Sequence, residues 1–308
     1  MSFSSSVKNE IAEQYSQARH CAVAEMAAIV GFCGKFVIDA NGKHKLVIVS
    51  ENDNIYRKCF TLLKKTFNIL SLVVSEDNFT THRELIIEDA NEAKSLLQAL
   101  KFIKDDGTIR RFSDPVSSLI IKNGCCKRAY LRGAFLCAGS ISDPNKGYHL
   151  EMVCDVKEQA DKIIELLADF DLEAKCVVRK LKFVVYMKEG AAIVDFLNIC
   201  EAHISLMELE NLRIVREMRN SINRRVNCEA ANITKTVNAA TKQIEEIEYL
   251  RDYYGLDNLP PNLHEMALVR LEHPDASLAE LGEYLDPPVG KSGVNHRLRR
   301  LSEIAEQV

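Results

Sequence analysis

Nowhere in these 308 residues does an apolar run approach the eighteen or so that a membrane span requires. The start, Met1-Ser2-Phe3-Ser4-Ser5-Ser6-Val7-Lys8, lacks the apolar core of a secretory signal. Those two absences lead to the expectation of a cytoplasmic protein. No C-x-x-C occurs among the ten cysteines, and Cys125-Cys126 is a vicinal pair. Cys33, Cys137, Cys154 and Cys176 sit in apolar runs, as buried free thiols do in a reducing compartment. No His/Cys cluster has zinc-site spacing, and His20-Cys21, the nearest approach to one, reads as a chance pair. No metal and no cofactor are therefore expected. The 47% hydrophobic and 27% charged composition is that of an ordinary globular chain, long enough for two or three domains.

What is present is a long internal repeat. Ala24-Glu25-Met26-Ala27-Ala28-Ile29-Val30-Gly31-Phe32-Cys33-Gly34 recurs as Ala129-Tyr130-Leu131-Arg132-Gly133-Ala134-Phe135-Leu136-Cys137-Ala138-Gly139, 105 residues later. Each copy predicts an apolar, small-residue-rich helix ending at a glycine C-cap. A β-rich run follows in each, Lys45–Ser50 and His149–Val153, and then a helix, Asn52–Phe67 and Val156–Phe170. Two more β runs come next, Ile69–Val74 with Glu84–Ile87, and Ala174–Val178 with Lys182–Tyr186. Closing helices are predicted at Glu92–Leu100 and Glu189–Ile199. Each unit reads αββαββα, and units of this size indicate a duplicated domain with pseudo-two-fold symmetry rather than a solenoid. Ala24, Ala27, Ala28 and Gly31, like Ala129, Gly133, Ala134 and Ala138, keep helical spacing. Such a face suits a close helix pair at the pseudo-dyad; a small-residue core helix packed on a sheet is the alternative.

Leu131-Arg132-Gly133-Ala134-Phe135-Leu136-Cys137-Ala138-Gly139-Ser140-Ile141 resembles the LAGLIDADG motif of homing endonucleases, whose fold is also the αββαββα unit. In those enzymes an acid just before the last glycine of each helix holds a divalent metal, which orients water for phosphodiester cleavage. Here those positions are Cys33 and Ala138. Asp143 lies beyond the helix, in a Ser142-Asp143-Pro144-Asn145 turn. No catalytic residue is assigned.

Net charge is −4, yet the bases are unevenly placed. Between Asn211 and Gln243 seven bases face two acids. Val289–Arg300 holds Lys291, Arg297, Arg299 and Arg300 and no acid. The preceding scaffold is acidic on balance, which fits a nuclease scaffold without nuclease chemistry. Glu201–Arg225 predicts an amphipathic helix with Leu206, Leu209, Leu212, Val215 and Met218 in apolar spacing. The next stretch, rich in Asn, Thr and bases, offers Asn223, Arg224, Arg225, Asn227, Asn232 and Lys235 as phosphate contacts; a polar solvated linker is the bland alternative. Helix resumes at Asn238–Tyr254 and stops at Gly255, and Pro260-Pro261 marks a boundary. Three short helices follow. The first spans Asn262–Leu271, the second opens on the capping box Ser277-Leu278-Ala279-Glu280, and the third runs Ser292–Glu306 after the turn Asp286–Gly290. This is helix-turn-helix order and length, although a generic three-helix module shares the pattern. Lys291, Ser292, Asn295, His296, Arg297, Arg299 and Arg300 are the candidate DNA contacts, with Val294, Leu298, Leu301 and Ile304 facing the core.

The combination resembles the WhiA family of bacterial transcription regulators over essentially the whole chain. The matching pieces are Tyr130–Phe135, the run Asn223-Arg224-Arg225 to Asn227-Cys228, Ala231-Asn232 and Lys235, and Lys291–Leu298. The resemblance implies a nucleoid-associated protein that binds double-stranded promoter DNA through its C-terminal region and is tied to sporulation, cell division and chromosome organisation. It also implies, as partners of some members, an RNA polymerase sigma factor and a WhiB-like iron–sulfur protein.

The fold expected is α+β: a duplicated αββαββα LAGLIDADG-like domain followed by an all-α helix-turn-helix domain. The expected divisions are 1–103 and 104–203 for the repeats, 204–254 for a basic helical linker and 255–308 for the helix-turn-helix. A sequence-specific, non-enzymatic DNA-binding regulator is the first functional reading. An active metal-dependent endonuclease or RNA maturase is the alternative. An adaptor that uses the old cleavage groove for a protein or small ligand is compatible with the first.

Overall fold

The computed structural model of the chain describes residues 2–38, 44–50, 53–76 and 83–308. By contact density it divides into two units, 1–215 and 216–308.

The first unit opens with α1 (Phe3–Glu13), which the serine-rich start disguises. Ser2 is its N-cap and accepts from the Ser5 amide, while Val7 and Ile11 are fully buried. The first repeat then runs α2 (Arg19–Cys33), β1 (Gly34–Ile38), β2 (His44–Ser50), α3 (Asp53–Phe67), β3 (Leu72–Glu76), β4 (Arg83–Ile87) and α4 (Ala90–Ala99). Asn52, the expected start of α3, lies outside the described residues. The second repeat is α5 (Gly124–Ala138), β5 (Gly139–Ile141), β6 (Leu150–Cys154), α6 (Lys157–Ala168), β7 (Lys175–Arg179), β8 (Lys182–Met187) and α7 (Gly190–Ile199). β1 and β5, which begin at the helix-ending glycines Gly34 and Gly139 and are absent from the β runs expected from the sequence, complete the αββαββα pattern.

The two antiparallel sheets are ordered β1-β2-β4-β3 and β5-β6-β8-β7. Their registers correspond, with Gly34 opposite Ile48 and Gly139 opposite Met152. Left-handed residues end equivalent helices: Asn68 and Asp171 follow α3 and α6, and Lys101 and Glu201 follow α4 and α7. The duplication therefore extends to backbone detail.

α2 and α5 pack against each other as a pair. Ala24, Ala27 and Ala28, with Ala129 and Ala134, are almost wholly buried. A Cβ at Gly133 would lie 2.6 Å from the Glu25 carbonyl oxygen and 3.0 Å from the Ala28 Cβ, so only glycine lets the backbones approach this closely. Gly31 faces the Phe112 carbonyl in the connection between the repeats, not the partner helix. Gly34 and Gly139 occupy the helix ends, but with extended backbone, φ −77° and −87°. They are not left-handed caps. Gly139 supplies room instead, since a Cβ there would overlap the Phe135 ring.

A buried polar centre crosses this apolar pair. Glu25, on α2, is fully buried and meets Lys58 Nζ of α3 at 2.6 Å. Arg132, on α5, donates Nε to Glu25 Oε1 at 3.0 Å and Nη2 to Oε2 at 3.1 Å. Its remaining donors reach Glu201 and the Ser16 hydroxyl, each at 2.6 Å, and Lys58 also donates to the Ile11 carbonyl. Burial alone would lower Arg132, but Glu25 and then Glu201 hold it above its ordinary value. Burial does lower Lys58, against the pull of Glu25.

α8 (His203–Tyr253) is one continuous helix rather than a helix, linker and helix. Leu209 is buried in the first unit, whereas Val215 and Met218, expected on the same apolar face, are exposed. Its amino end is held by Glu10 of α1, which accepts from the Ile204 and Ser205 amides. The helix stops at Gly255, φ +80°, whose amide donates to the Leu250 carbonyl. The second unit adds α9 (Pro261–Glu272), α10 (Leu278–Glu283) and α11 (Lys291–Ala305). Ile247 and Leu250 of α8, Met266 of α9, Leu281 of α10 and Val294, Leu298 and Leu301 of α11 form its core. The capping box forms as expected: Glu280 N donates to Ser277 Oγ, and Ser277 N to Glu280 Oε2 at 2.7 Å.

Candidate nucleic-acid interface

α11 forms because its apolar residues recur at steps of three and four and find a core, leaving the opposite face to solvent. Lys291, Asn295 and Arg299 make one exposed row at four-residue spacing, and Ser292, His296 and Arg300 make the adjacent row. The helix starts after Gly290 without a capping side chain, so its first-turn amides add donors beside Lys291. Arg299 and Arg300 reach Glu303 at 3.6 and 2.7 Å. The hydrogen bond from Arg300 holds Glu303 below the usual carboxylate range. These pairs are exposed, so exchanging them for a phosphate costs little. Arg297 behaves differently. It is half-buried and turns toward Glu265 of α9, 3.4 Å away, bracing the helix instead of joining the exposed rows.

The candidate residues before Gly255 all lie on the exposed middle of α8. Arg224, Asn227 and Lys235 share a face, and Ile222, Val226, Ile233 and Val237 lie on the other side. Asn223 and Asn232 flank the basic face, and Arg225 is paired with Glu229 at 3.1 Å.

Two of the groups singled out in the sequence meet within the second unit. Lys235 of α8 lines one groove of about 350 Å³ together with Lys291 and Asn295 of α11. Its wall includes Gln243 of α8 and Arg270 of α9. Arg270 donates Nη1 to the Ala276 carbonyl at 2.7 Å, and burial holds its guanidinium below its ordinary value. Arg270 Nε and Gln243 Oε1 are buried without a hydrogen-bond partner among the described residues. Neither residue had been singled out, since nothing in a helical pattern marks a polar group whose partner is missing. The groove thus joins two exposed lysines and an amide side chain, a set that suits phosphate oxygens and base edges.

The carboxyl ends of α2 and α5 present a different chemistry. Cys33 and Cys137 line a cavity of about 580 Å³ with Ser4, Ser140, Lys8 and Lys35. A hydrogen bond from the Cys137 thiol holds Cys33 below the ordinary thiol range, with Lys8 and Lys35 adding to that effect. The same bond keeps Cys137 well above it. No carboxylate is among the lining residues that the structure describes. A hard divalent cation takes oxygen ligands, so these residues do not fit the metal that the endonuclease resemblance implies. Asp143 is occupied in its turn, accepting from the Asn145 amide at 2.9 Å.

Taken together, the duplicated repeat and the three short helices define a protein with a degenerate LAGLIDADG-like scaffold followed by a helix-turn-helix domain. Family descriptions match all three parts. The WhiA N-terminal LAGLIDADG-like domain matches residues 19–103, the WhiA LAGLIDADG-like domain 127–219 and the WhiA C-terminal HTH domain 222–305. A probable cell division protein WhiA of Lachnoclostridium phytofermentans is 50% identical, over 99% of both chains. One of Clostridium botulinum is 43% identical, over 100% of this chain and 99% of its own. The crystal structure of full-length DUF199/WhiA from Thermatoga maritima superposes with a TM-score of 0.60 at 26% identity, covering 100% of this chain and 99% of that one. The chain belongs to the WhiA family. Among the described residues no helix is long and apolar enough to cross a membrane.

Proposed function

We propose that this chain is a non-enzymatic, sequence-specific regulator that binds double-stranded promoter DNA through its second unit. The reading rests chiefly on the groove shared by Lys235, Lys291 and Asn295, flanked by the exposed row that continues to Arg299. α11 enters the major groove, with Asn295 and Arg299 at base edges and Lys291, Ser292, His296 and Arg300 at its margins. Arg224, Arg225 and Lys235 contact the sugar-phosphate backbone, with Asn223, Asn227 and Asn232 as neutral donors. Residues 255–308 act as the helix-turn-helix and 204–254 as the basic helix leading into it. The name of its relatives, probable cell division proteins, supports a role in cell division, and the family resemblance adds sporulation and chromosome organisation. The same reading assigns a nucleoid location and, as partners, a sigma factor and a WhiB-like protein. The scaffold is catalytically inactive in this reading, because Cys33 and Ala138 stand where metal-binding acids are required.

Footprinting of the full chain on genomic DNA across a salt series tests the proposal. Discrete sites are expected, with affinity falling steeply as salt rises. Arg299→Ala weakens binding at those sites; an unchanged gel-shift midpoint for that variant sinks the assignment. Supercoiled plasmid incubated with the protein and Mg²⁺ stays intact. Cleavage would overturn the inactive-scaffold reading and leave the endonuclease alternative in its place.

A further inference from the structure

The other end of the α2–α5 pair carries a cluster that the spacing of the chain conceals. His20 and Cys21 stand in the first turn of α2, and Cys125 and Cys126 in the first turn of α5. The pairing of those helices brings the four residues together, which corrects the reading of His20-Cys21 as a chance pair. One ligand atom from each lies within 4.8 Å of all the others. His20 Nδ1 is 3.2 Å from Cys126 Sγ and 3.3 Å from Cys21 Sγ. Around a tetrahedral zinc ion, with Zn–S near 2.3 Å and Zn–N near 2.0 Å, neighbouring ligand atoms are roughly 3.5–3.8 Å apart. Separations of 3.2 and 3.3 Å, with none above 4.8 Å, bracket that spacing, so rotation of the four side chains would complete the shell.

We infer that His20, Cys21, Cys125 and Cys126 form a structural Cys₃His zinc site clamping the amino ends of the two pseudo-symmetric helices. Three thiolates and an imidazole are soft to borderline donors that select Zn²⁺ over Mg²⁺ or Ca²⁺, and four protein ligands close the tetrahedron. On binding, the three thiol protons pass to solvent. The resulting site carries one net negative charge. It sits at the positive ends of two helices, neither of which has a capping side chain. Arg19 and Lys122 border the same surface hollow as His20 and Cys126. Cys21 and Cys126 are buried, whereas His20 and Cys125 are exposed and give the ion its way in. Zinc here would be structural, at the opposite end of the pair from Cys33 and Cys137.

The test uses the full chain, reduced and stripped of metal, and then titrated with Zn²⁺ or Co²⁺. A single ion per chain by elemental analysis is expected, with the cobalt form showing a thiolate charge-transfer band and the intense visible bands of tetrahedral geometry. Zinc raises the melting temperature, and a chelator reverses the rise. Cys125→Ser and His20→Asn change exposed residues and leave the core intact. Loss of an outer-shell partner costs roughly 10–100-fold in metal affinity, so losing a direct ligand lowers it by more than about a hundredfold. Cys228→Ser, an exposed thiol on α8, leaves it unchanged. Substoichiometric binding, an octahedral cobalt spectrum, or an affinity equal to the parent protein's in either ligand variant would overturn the site. So would recovery of two of the three cysteines in a disulfide, with no metal bound after its reduction.

Discussion

Arg132 and Arg299 are the same residue type put to opposite uses. Arg132 lies in the first unit, 1% exposed, with its guanidinium shared among Glu25, Glu201 and Ser16. Arg299 lies in the second unit, exposed, with one loose partner in Glu303. A buried charge is held because removing any partner leaves another charge stranded in low dielectric. An exposed one is exchangeable, because water and salt already screen its pairing. Arg132 is thus committed to the packing of the first unit, whereas Arg299 stays exchangeable with solvent ions.

The comparison breaks most visibly at the buried centre. Glu25→Gln leaves Arg132 and Lys58 short of a counter-charge, and about 3–5 kcal/mol of first-unit stability is lost in chemical denaturation. DNA affinity of the molecules still folded is unchanged; a parallel loss of affinity would mean that the two uses of arginine are not separate. Arg299→Ala gives the converse, about 1–3 kcal/mol of binding free energy with no change in melting temperature. Lys291→Ala lowers affinity across all sequences and reduces the slope of log affinity against log salt by about 1. Equal slopes for the variant and the parent protein would remove Lys291 from the backbone contacts.

A smaller effect tests whether the second unit's fold is independent of its charges. Ser277→Ala removes the cap of α10 and costs about 1 kcal/mol of stability in the second unit, read from its urea midpoint. The smallest concerns Glu92 of α4, which accepts from the Ser71 hydroxyl and the Ser71 and Leu70 amides. Those bonds, the Ser71 hydroxyl foremost, lower its pKa. A lowered carboxylate contributes stability above its unfolded value and loses it as pH falls through the folded one. Glu92→Gln is therefore less stable than the parent protein at neutral pH, and the gap closes as acid titrates the carboxylate. A gap that widens in acid would reverse the sign argued here.

Surfaces were the legible part of the sequence. α11 alternates Val294, Leu298 and Leu301 with bases at helical spacing, and the core accepted the apolar set as expected. Ser277 and Glu280 carry their cap in three residues of separation. Partnerships across the duplication were not legible. Glu25 meets Arg132, yet the repeat aligns Glu25 with Tyr130, so the pairing falls outside the internal symmetry. His20-Cys21 and Cys125-Cys126 are each too short to show a ligand spacing. β5 is only Gly139–Ile141, too brief for a period-two pattern. The Asn- and Thr-rich stretch of α8 disfavours helix locally, but it contains no proline or glycine to break the chain between His203 and Tyr253. Arg297 looked like its basic neighbours because sequence spacing does not reveal that Glu265 stands beside it.

The contact at Gly133 polarises how mutation can act on this molecule. Most buried positions adjoin side chains that can rotate or be exchanged, so a change at one is answerable by a change at another. At Gly133 the neighbour is the Glu25 carbonyl, a group that every residue at position 25 possesses. No second substitution in α2 can make room for a Cβ there without moving the helix itself. Each repeat can vary its strands and loops independently, but at this crossing the two halves share a position at which neither has an alternative.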